Sequence, residues 1–238
     1  MLSCRETRGP PLAALVPLAA AALILLTQPA AALTIDTFSY GTLSLTQASV
    51  GSTSASESSL TDVIGGTRAA TLTVTYREYG DATAIVLTSP GILTWDEDDA
   101  IKGTLLLDYT GSYVADFTDG GTTSGIVVKF TSDNHPWDLR IDVYEGANQS
   151  KYEATIAAVN GAGVVFAPYV GFVPVTTGVD FTKIDHVKFL FSSDFDAAKG
   201  ADLSFDLVQT GVSEPLTMAG LLMGVGSVGC YIRRRRLA

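Results

Sequence analysis

The stretch Ala70-Thr71-Leu72-Thr73-Val74-Thr75-Tyr76 decides the fold. Successive side chains on an extended backbone point to opposite sides. Threonine alternating with an apolar residue therefore puts Leu72, Val74 and Tyr76 on one face and the threonines on the other. β-branched residues at this density favour a half-buried pleated surface over a helix. Trp137–Tyr144 repeats the pattern, with Leu139, Ile141 and Val143 inward and Asp138, Arg140 and Asp142 outward. Leu203, Phe205 and Leu207 do the same against Ser204 and Asp206. Further runs lie at 35–38, 84–88, 104–109, 126–130, 152–159, 164–168 and 187–191, and nowhere does a 3.6-residue apolar period last long enough for a helix of the body. About ten short strands with turn signals between them predict an all-β protein, a single antiparallel β-sandwich of jelly-roll type. Asn160-Gly161, between two runs, signals a hairpin, while Asp119-Gly120-Gly121 and Asp133-Asn134-His135-Pro136 read as loops. The Ser-rich stretch Thr46–Ser59 reads as a long loop or a ragged edge strand.

The chain has 238 residues, 47% hydrophobic and 17% charged, enough for one full domain with a core that needs no covalent staples. Its net charge is −10, from 15 Lys+Arg against 25 Asp+Glu. The first 32 residues carry +1 and the last 26 carry +3, so the body between them stands at −14. A body that acidic repels phosphate backbones, which excludes nucleic acid as a partner. The two cysteines, Cys4 and Cys230, both lie outside residues 33–212, leaving the body without a disulfide, a thiolate metal site or a cysteine nucleophile.

The two ends read as addresses. Arg5 and Arg8 precede an apolar stretch from Leu12 to Leu26, and Gln28-Pro29-Ala30-Ala31-Ala32 follows. A basic start, an apolar middle and small residues at Ala30 and Ala32 form a secretory signal spanning 1–32, cleaved after Ala32; the alternative is a membrane anchor. At the other end, Ser213-Glu214-Pro215 leads into the uncharged segment 216–232, which meets Arg233, Arg234, Arg235 and Arg236. Those 17 residues rise about 25 Å as an α-helix, enough to cross a hydrocarbon core with snorkelling flanks. The arginines would stay cytoplasmic and the body outside.

This tail, residues 213–238, resembles the PEP-CTERM sorting signal: Pro-Glu-Pro, a transmembrane segment, and a terminal basic cluster. Glu214 and Pro215 match the motif, while Ser213 stands where the family has its first proline. The resemblance implies a substrate of exosortases, membrane transpeptidases of bacteria that make extracellular polysaccharide. It implies export through Sec-type machinery, an inner-membrane intermediate held only by the C-terminal helix, and release to the cell surface or extracellular matrix. The alternative is a plain C-terminal anchor. In the body, Asp36 and Phe38, the run Val63-Ile64-Gly65-Gly66-Thr67-Arg68, and Leu107-Asp108-Tyr109 resemble the jelly-roll ectodomains often attached to such tails.

Catalytic patterns are sparse. The only histidines are His135 and His186, with no zinc spacing and no Gly-x-Ser-x-Gly elbow, and the body's 23 acidic residues make carboxylate pairs uninformative. The expectation is a protein that is not an enzyme. No cofactor is expected, although a structural Ca²⁺ is a candidate at two places. One is the acidic run after Trp95, through Asp96 and Asp98; the other is a seam where the first and last strands would bring Asp36 near Asp206. Both compete with solvated surface charge. Trp95 and Tyr169 are candidate platforms for a sugar ring, whereas Trp137 and largely Tyr144 read as core. Two functions follow: a structural or adhesive surface or matrix protein linked to exopolysaccharide and biofilm, or a carbohydrate-binding module that recognises a surface or external glycan.

Overall fold

The computed structural model describes residues 32–79, 84–89, 91–99, 101–194 and 200–212. The signal segment up to residue 31 and the sorting tail from Ser213 onward, with Arg233 to Arg236, lie outside the described residues.

Alternation in the sequence becomes two seven-stranded antiparallel sheets. The first contains β1 (Thr34–Asp36), β2 (Ser44–Gln47), β5 (Ala84–Ser89), β6 (Ile92–Glu97), β8 (Gly125–Ser132), β11 (Gly163–Pro168) and β14 (Asp202–Gly211). Its order is β11-β8-β14-β6-β5-β2, with β1 paired to the free stretch of β14. The second contains β3 (Gly51–Ser58), β4 (Thr67–Arg77), β7 (Ile101–Tyr109), β9 (Trp137–Glu145), β10 (Asn148–Ile156), β12 (Val173–Pro174) and β13 (His186–Ser192), in the order β12-β10-β9-β13-β7-β4-β3. Among the described residues there is no α-helix, only single 3₁₀ turns at Ile64–Gly66 and Tyr169–Gly171.

The sheets face each other across one apolar core. Trp137 of the second sheet meets Phe130 and Phe205 of the first edge-on, at centroid separations of 5.7 and 5.9 Å, and Phe191 packs on Phe205 at 4.4 Å. Such aromatic pairs add about 0.5–1.5 kcal/mol each beyond their area. Along β7 the alternation is unbroken, with Ile101, Leu105, Leu107 and Tyr109 fully buried.

Three local expectations are corrected. Tyr76 does not follow Leu72 and Val74 inward: an irregularity between Val74 and Tyr76 inserts Thr75, and Tyr76 is left exposed. Leu207 likewise loses its inward place, because register shifts around Phe205 hand the core positions to Val208 and Thr210. Asn160-Gly161 is not a hairpin, since β10 and β11 belong to different sheets; the turn, with Asn160 at φ 53°, carries the chain across the sandwich. Of the two forms expected for the Ser-rich stretch, the edge strand is the one found: it makes the end of β2 and the whole of β3, whose Ser52 and Ser54 hydroxyls bond Thr73 and Thr71 across the sheet, each at 2.8 Å. The fourteen strands among the described residues exceed the expected number mainly because β2, β3, β6 and β12 carry weak or mixed patterns.

Candidate functional site

The three motif segments of the body converge on one buried ion network. Asp36, at the end of β1, accepts from Arg68 Nη1 at 2.8 Å, from the Tyr109 hydroxyl at 2.9 Å and from the Phe38 backbone N–H at 2.7 Å. Arg68 Nη2 donates to Glu57 Oε2 at 2.7 Å and to the Tyr40 carbonyl at 3.0 Å, and its guanidinium carbon lies 5.5 Å from the Phe38 ring centroid. Asp36, Arg68 and Tyr109 are all fully buried. Gly41 makes this closure possible: a Cβ there would lie 2.5 Å from Glu57 Oε2 and 2.6 Å from Arg68 Nη2. Gly65, at φ +68°, packs beneath the Tyr113 ring in the turn that delivers Arg68. The network ties the N-terminal segment to both sheets, with its Asp36, Arg68 and Tyr109 centre closed to solvent and only Glu57 reaching the edge.

That placement corrects the calcium seam. β1 does lie beside β14, with Asp36 opposite Val208, yet the Asp36 oxygens are taken by a guanidinium, a phenol and an amide. Asp206 sits in the irregular part of β14. The acidic run also resolves differently. Trp95 is fully buried, so it offers no face to a sugar, and Glu97 follows it into the interior. Asp96 points outward and stands opposite Asp202 on β14. Burial, then the hydrogen bond and charge of Asp96, push the Asp202 carboxyl up to about 6. Asn134 donates to Asp202 Oδ2 at 2.5 Å, and Asp98 begins the turn beyond the strand. Among the described residues no three His, Cys, Asp or Glu side chains are grouped to hold a metal ion.

Tyr169 is half-buried. Its ring packs on Phe181 at 4.3 Å, its hydroxyl donates to the Phe117 carbonyl, and burial pushes the phenol up to about 12. It braces loops at one end of the sandwich and is not a free platform.

The outer face of the second sheet carries residues that the sequence places outward without assembling them into a site; most are half-buried there, and Asp142 is buried. Here the outward positions of four adjacent strands form an ordered strip. Asp108 on β7 bonds His186 Nε2 at 2.6 Å and Lys188 Nζ at 3.1 Å, both on β13. The His186 ring stacks on Tyr144 of β9, directly opposite in register, at 4.6 Å and 19°. Lys188 Nζ lies 5.8 Å from the Tyr144 centroid. Arg140 grips Asp142 two residues on, through Nε at 2.8 Å and Nη2 at 2.9 Å, and Gln149 of β10 donates to the same carboxylate at 2.9 Å. Lys151 pairs with Glu153 at 2.9 Å, and Thr155 donates to Asp138 at 2.7 Å. A shallow recess of about 330 Å³ between β9 and β10 is lined by Asp138, Glu153 and Thr155. Core packing is the usual place for a strand tyrosine, yet the alternation itself puts Tyr144 outward: Arg140-x-Asp142-x-Tyr144, an outward triplet with two charges and a ring, is the available signal.

Chemically, the strip is a flat wall of fixed donors and acceptors around one aromatic pair. Carboxylates, an amide and a guanidinium are suited to paired hydrogen bonds with hydroxyl groups, and each already holds its orientation through a neighbour, which lowers the ordering cost of binding.

No protein-family model and no curated protein matches the chain. Among solved structures, it is similar to the family 11 carbohydrate-binding module of the cellulosomal cellulase Lic26A-Cel5E of Clostridium thermocellum, at 10% identity and TM-score 0.42, over 79% of this chain and 99% of that one. It is similar to a family 29 carbohydrate-binding module at 12% identity and TM-score 0.35, over 71% and 98%. It also resembles a quarter of an agarase, AgWH50C, at 11% identity and TM-score 0.38, over 77% of this chain. These likenesses are to the neighbours' folds and say nothing of what this chain binds. What the fold and the exposed face define is an all-β antiparallel sandwich with a polar, aromatic-bearing sheet surface.

Proposed function

We propose that this protein is a non-catalytic glycan-binding surface module, exported and processed as a PEP-CTERM-type exosortase substrate, with an adhesive role in an extracellular polysaccharide matrix. The observation that carries the binding reading is the strip around Tyr144, His186, Arg140, Asp142 and Gln149. The export and sorting part rests on the terminal segments, Ala30 and Ala32 at one end and Ser213-Glu214-Pro215 with the four arginines at the other.

The strip also favours a class of glycan. Lys188, Arg140 and Lys151 are each ion-paired within the face, so none is free to meet a polyanion, and the body around them is strongly acidic. An uncharged polysaccharide fits; an acidic one would be repelled. Titration of the purified protein against neutral and acidic polysaccharides tests this. Saturable binding to a neutral glycan, weakened at least tenfold by Tyr144→Ala or Gln149→Ala and unchanged by Val164→Ser on the other sheet, is the expected outcome. Binding that survives Tyr144→Ala, or no binding to any neutral glycan, would remove the strip from the account and leave a purely structural role.

A further inference from the structure

We infer that the end of the sandwich from which the C-terminal tail departs is a membrane-facing surface, and that Val170, Val173, Val175 and Val212 rest on the lipid while the chain is anchored. This rests on reading residues 216–232 as membrane-spanning, part of the function proposed above.

Val170 is 96% exposed, Val173 59%, Val175 48% and Val212 41%. They are not scattered. The Ser124 backbone N–H donates to Gly211 O at 2.8 Å, and the Tyr169 N–H donates to Ser124 O at 2.9 Å, so the turn carrying Val170 lies against the strand end that continues into Val212. Within that turn, Tyr169 and Phe172 tuck against Phe181, while Val170 between them points away from the protein. An apolar tip with no intramolecular contact to justify it marks a surface that meets something else.

The tether says what it meets. Only Ser213, Glu214 and Pro215 separate Val212 from Leu216. Four residue steps span at most about 14 Å even when fully extended. The headgroup layer is itself only about 5–7 Å deep on each side of the hydrocarbon. The tether therefore holds the valine end within about 7–9 Å of the headgroup surface while the tail spans the bilayer, close enough for an exposed apolar tip to settle on it. The start of the sandwich is at the same pole, since Thr210 N–H donates to Leu33 O at 2.8 Å and Thr210 Oγ1 accepts from Leu33 N–H at 2.9 Å. The acidic residues on the neighbouring loops are held locally: Asp180 pairs with Lys183, and Asp116 accepts from Thr118 and Gly120. No cluster of lysines or arginines faces the lipid among the described residues of these loops, so the contact is apolar and not coulombic.

The test uses the full chain with Cys4→Ser and Cys230→Ser, carrying a single cysteine as Val170→Cys, Val173→Cys or Val159→Cys. Val159 is 54% exposed and lies at the opposite pole, where its N–H donates to Asp133. Each variant is labelled with a polarity-sensitive fluorophore and reconstituted into phosphatidylethanolamine–phosphatidylglycerol vesicles bearing a nitroxide lipid. The expected result is co-flotation with the vesicles, with blue-shifted and lipid-quenched emission at positions 170 and 173 and neither effect at 159. Co-flotation with water-like emission at all three positions would overturn this inference and leave the anchor intact. Failure to float would overturn the anchor reading, and this inference with it.

Discussion

Glu97 follows Trp95 and Asp96 out of β6 and turns inward, where it is 97% buried beside the backbone N–H of Ala201. Burial pushes its carboxyl from 4.5 up to about 7. Because the folded value lies above the unfolded one, the neutral carboxyl stabilises the fold fully below about pH 4.5, and that stabilisation is lost as pH rises through about 7. The loss is on the order of 3 kcal/mol. Glu97→Gln, which cannot ionise, should match the natural protein in urea at pH 4 and exceed it at pH 8; equal stability at both values would show that Glu97 ionises freely. Arg68 makes the opposite point, since its charge is wanted. Arg68→Ala would strand Asp36 and Glu57 near the core and should cost about 3–5 kcal/mol by denaturant unfolding. A cost under about 1 kcal/mol would mean the network is cosmetic. Neither role could be read from the sequence. Glu97 sat in what looked like a solvated acidic run, and only its place on the inward side of a strand withdraws it from water.

At the scale of the element, alternation translated directly wherever the ladder is regular, as in β7 and β9. It failed at bulges. One inserted residue reverses every later side chain, and nothing in Thr75 or Asp206 announces the insertion. Turns failed in a related way. Asn160-Gly161 has the backbone freedom of a hairpin turn, but the strands it joins pair with other partners. The crossing is fixed instead by Asp133, 97% buried, whose Oδ1 accepts from Val159 N–H at 2.8 Å and Asn160 N–H at 2.9 Å, while Oδ2 accepts from Trp137 Nε1 at 3.3 Å. Asp133→Ala leaves those donors without their acceptor and should destabilise by about 1–3 kcal/mol. Amide exchange should accelerate at Val159 and Asn160, and Trp137 emission should shift; unchanged exchange there would mean that the backbone holds the crossing unaided.

For the molecule as a whole, the chain changes sheets repeatedly, so each face gathers strands distant in sequence. β7 lies between β4 and β13, and β14 between β8 and β6. This is why the candidate site was only partly legible. Arg140, Asp142 and Tyr144 share one strand and could be seen together, but Asp108, His186, Lys188 and Gln149 join them only once β7, β13 and β10 are laid alongside. The proposed maturation is tested at the same scale. Mass spectrometry of the C-terminal peptide from envelope and supernatant fractions should find a chain ending near Ser213–Pro215, with Arg233 to Arg236 gone. An intact tail found only with membranes would make this a plainly anchored ectodomain.

The sequence by itself determined that the body is an all-β sandwich built by period-two strands without cysteine, because side-chain alternation and composition are properties of neighbouring residues. Its terminal segments are local patterns too, and the sorting proposal stands on them. Only the tertiary structure decided that Trp95 is core, that Tyr144 meets His186, that Asp36 meets Arg68, and that the valines of one loop gather where the chain leaves the fold. Those facts depend on register and strand order, which are set by long-range pairing that no local stretch of sequence encodes.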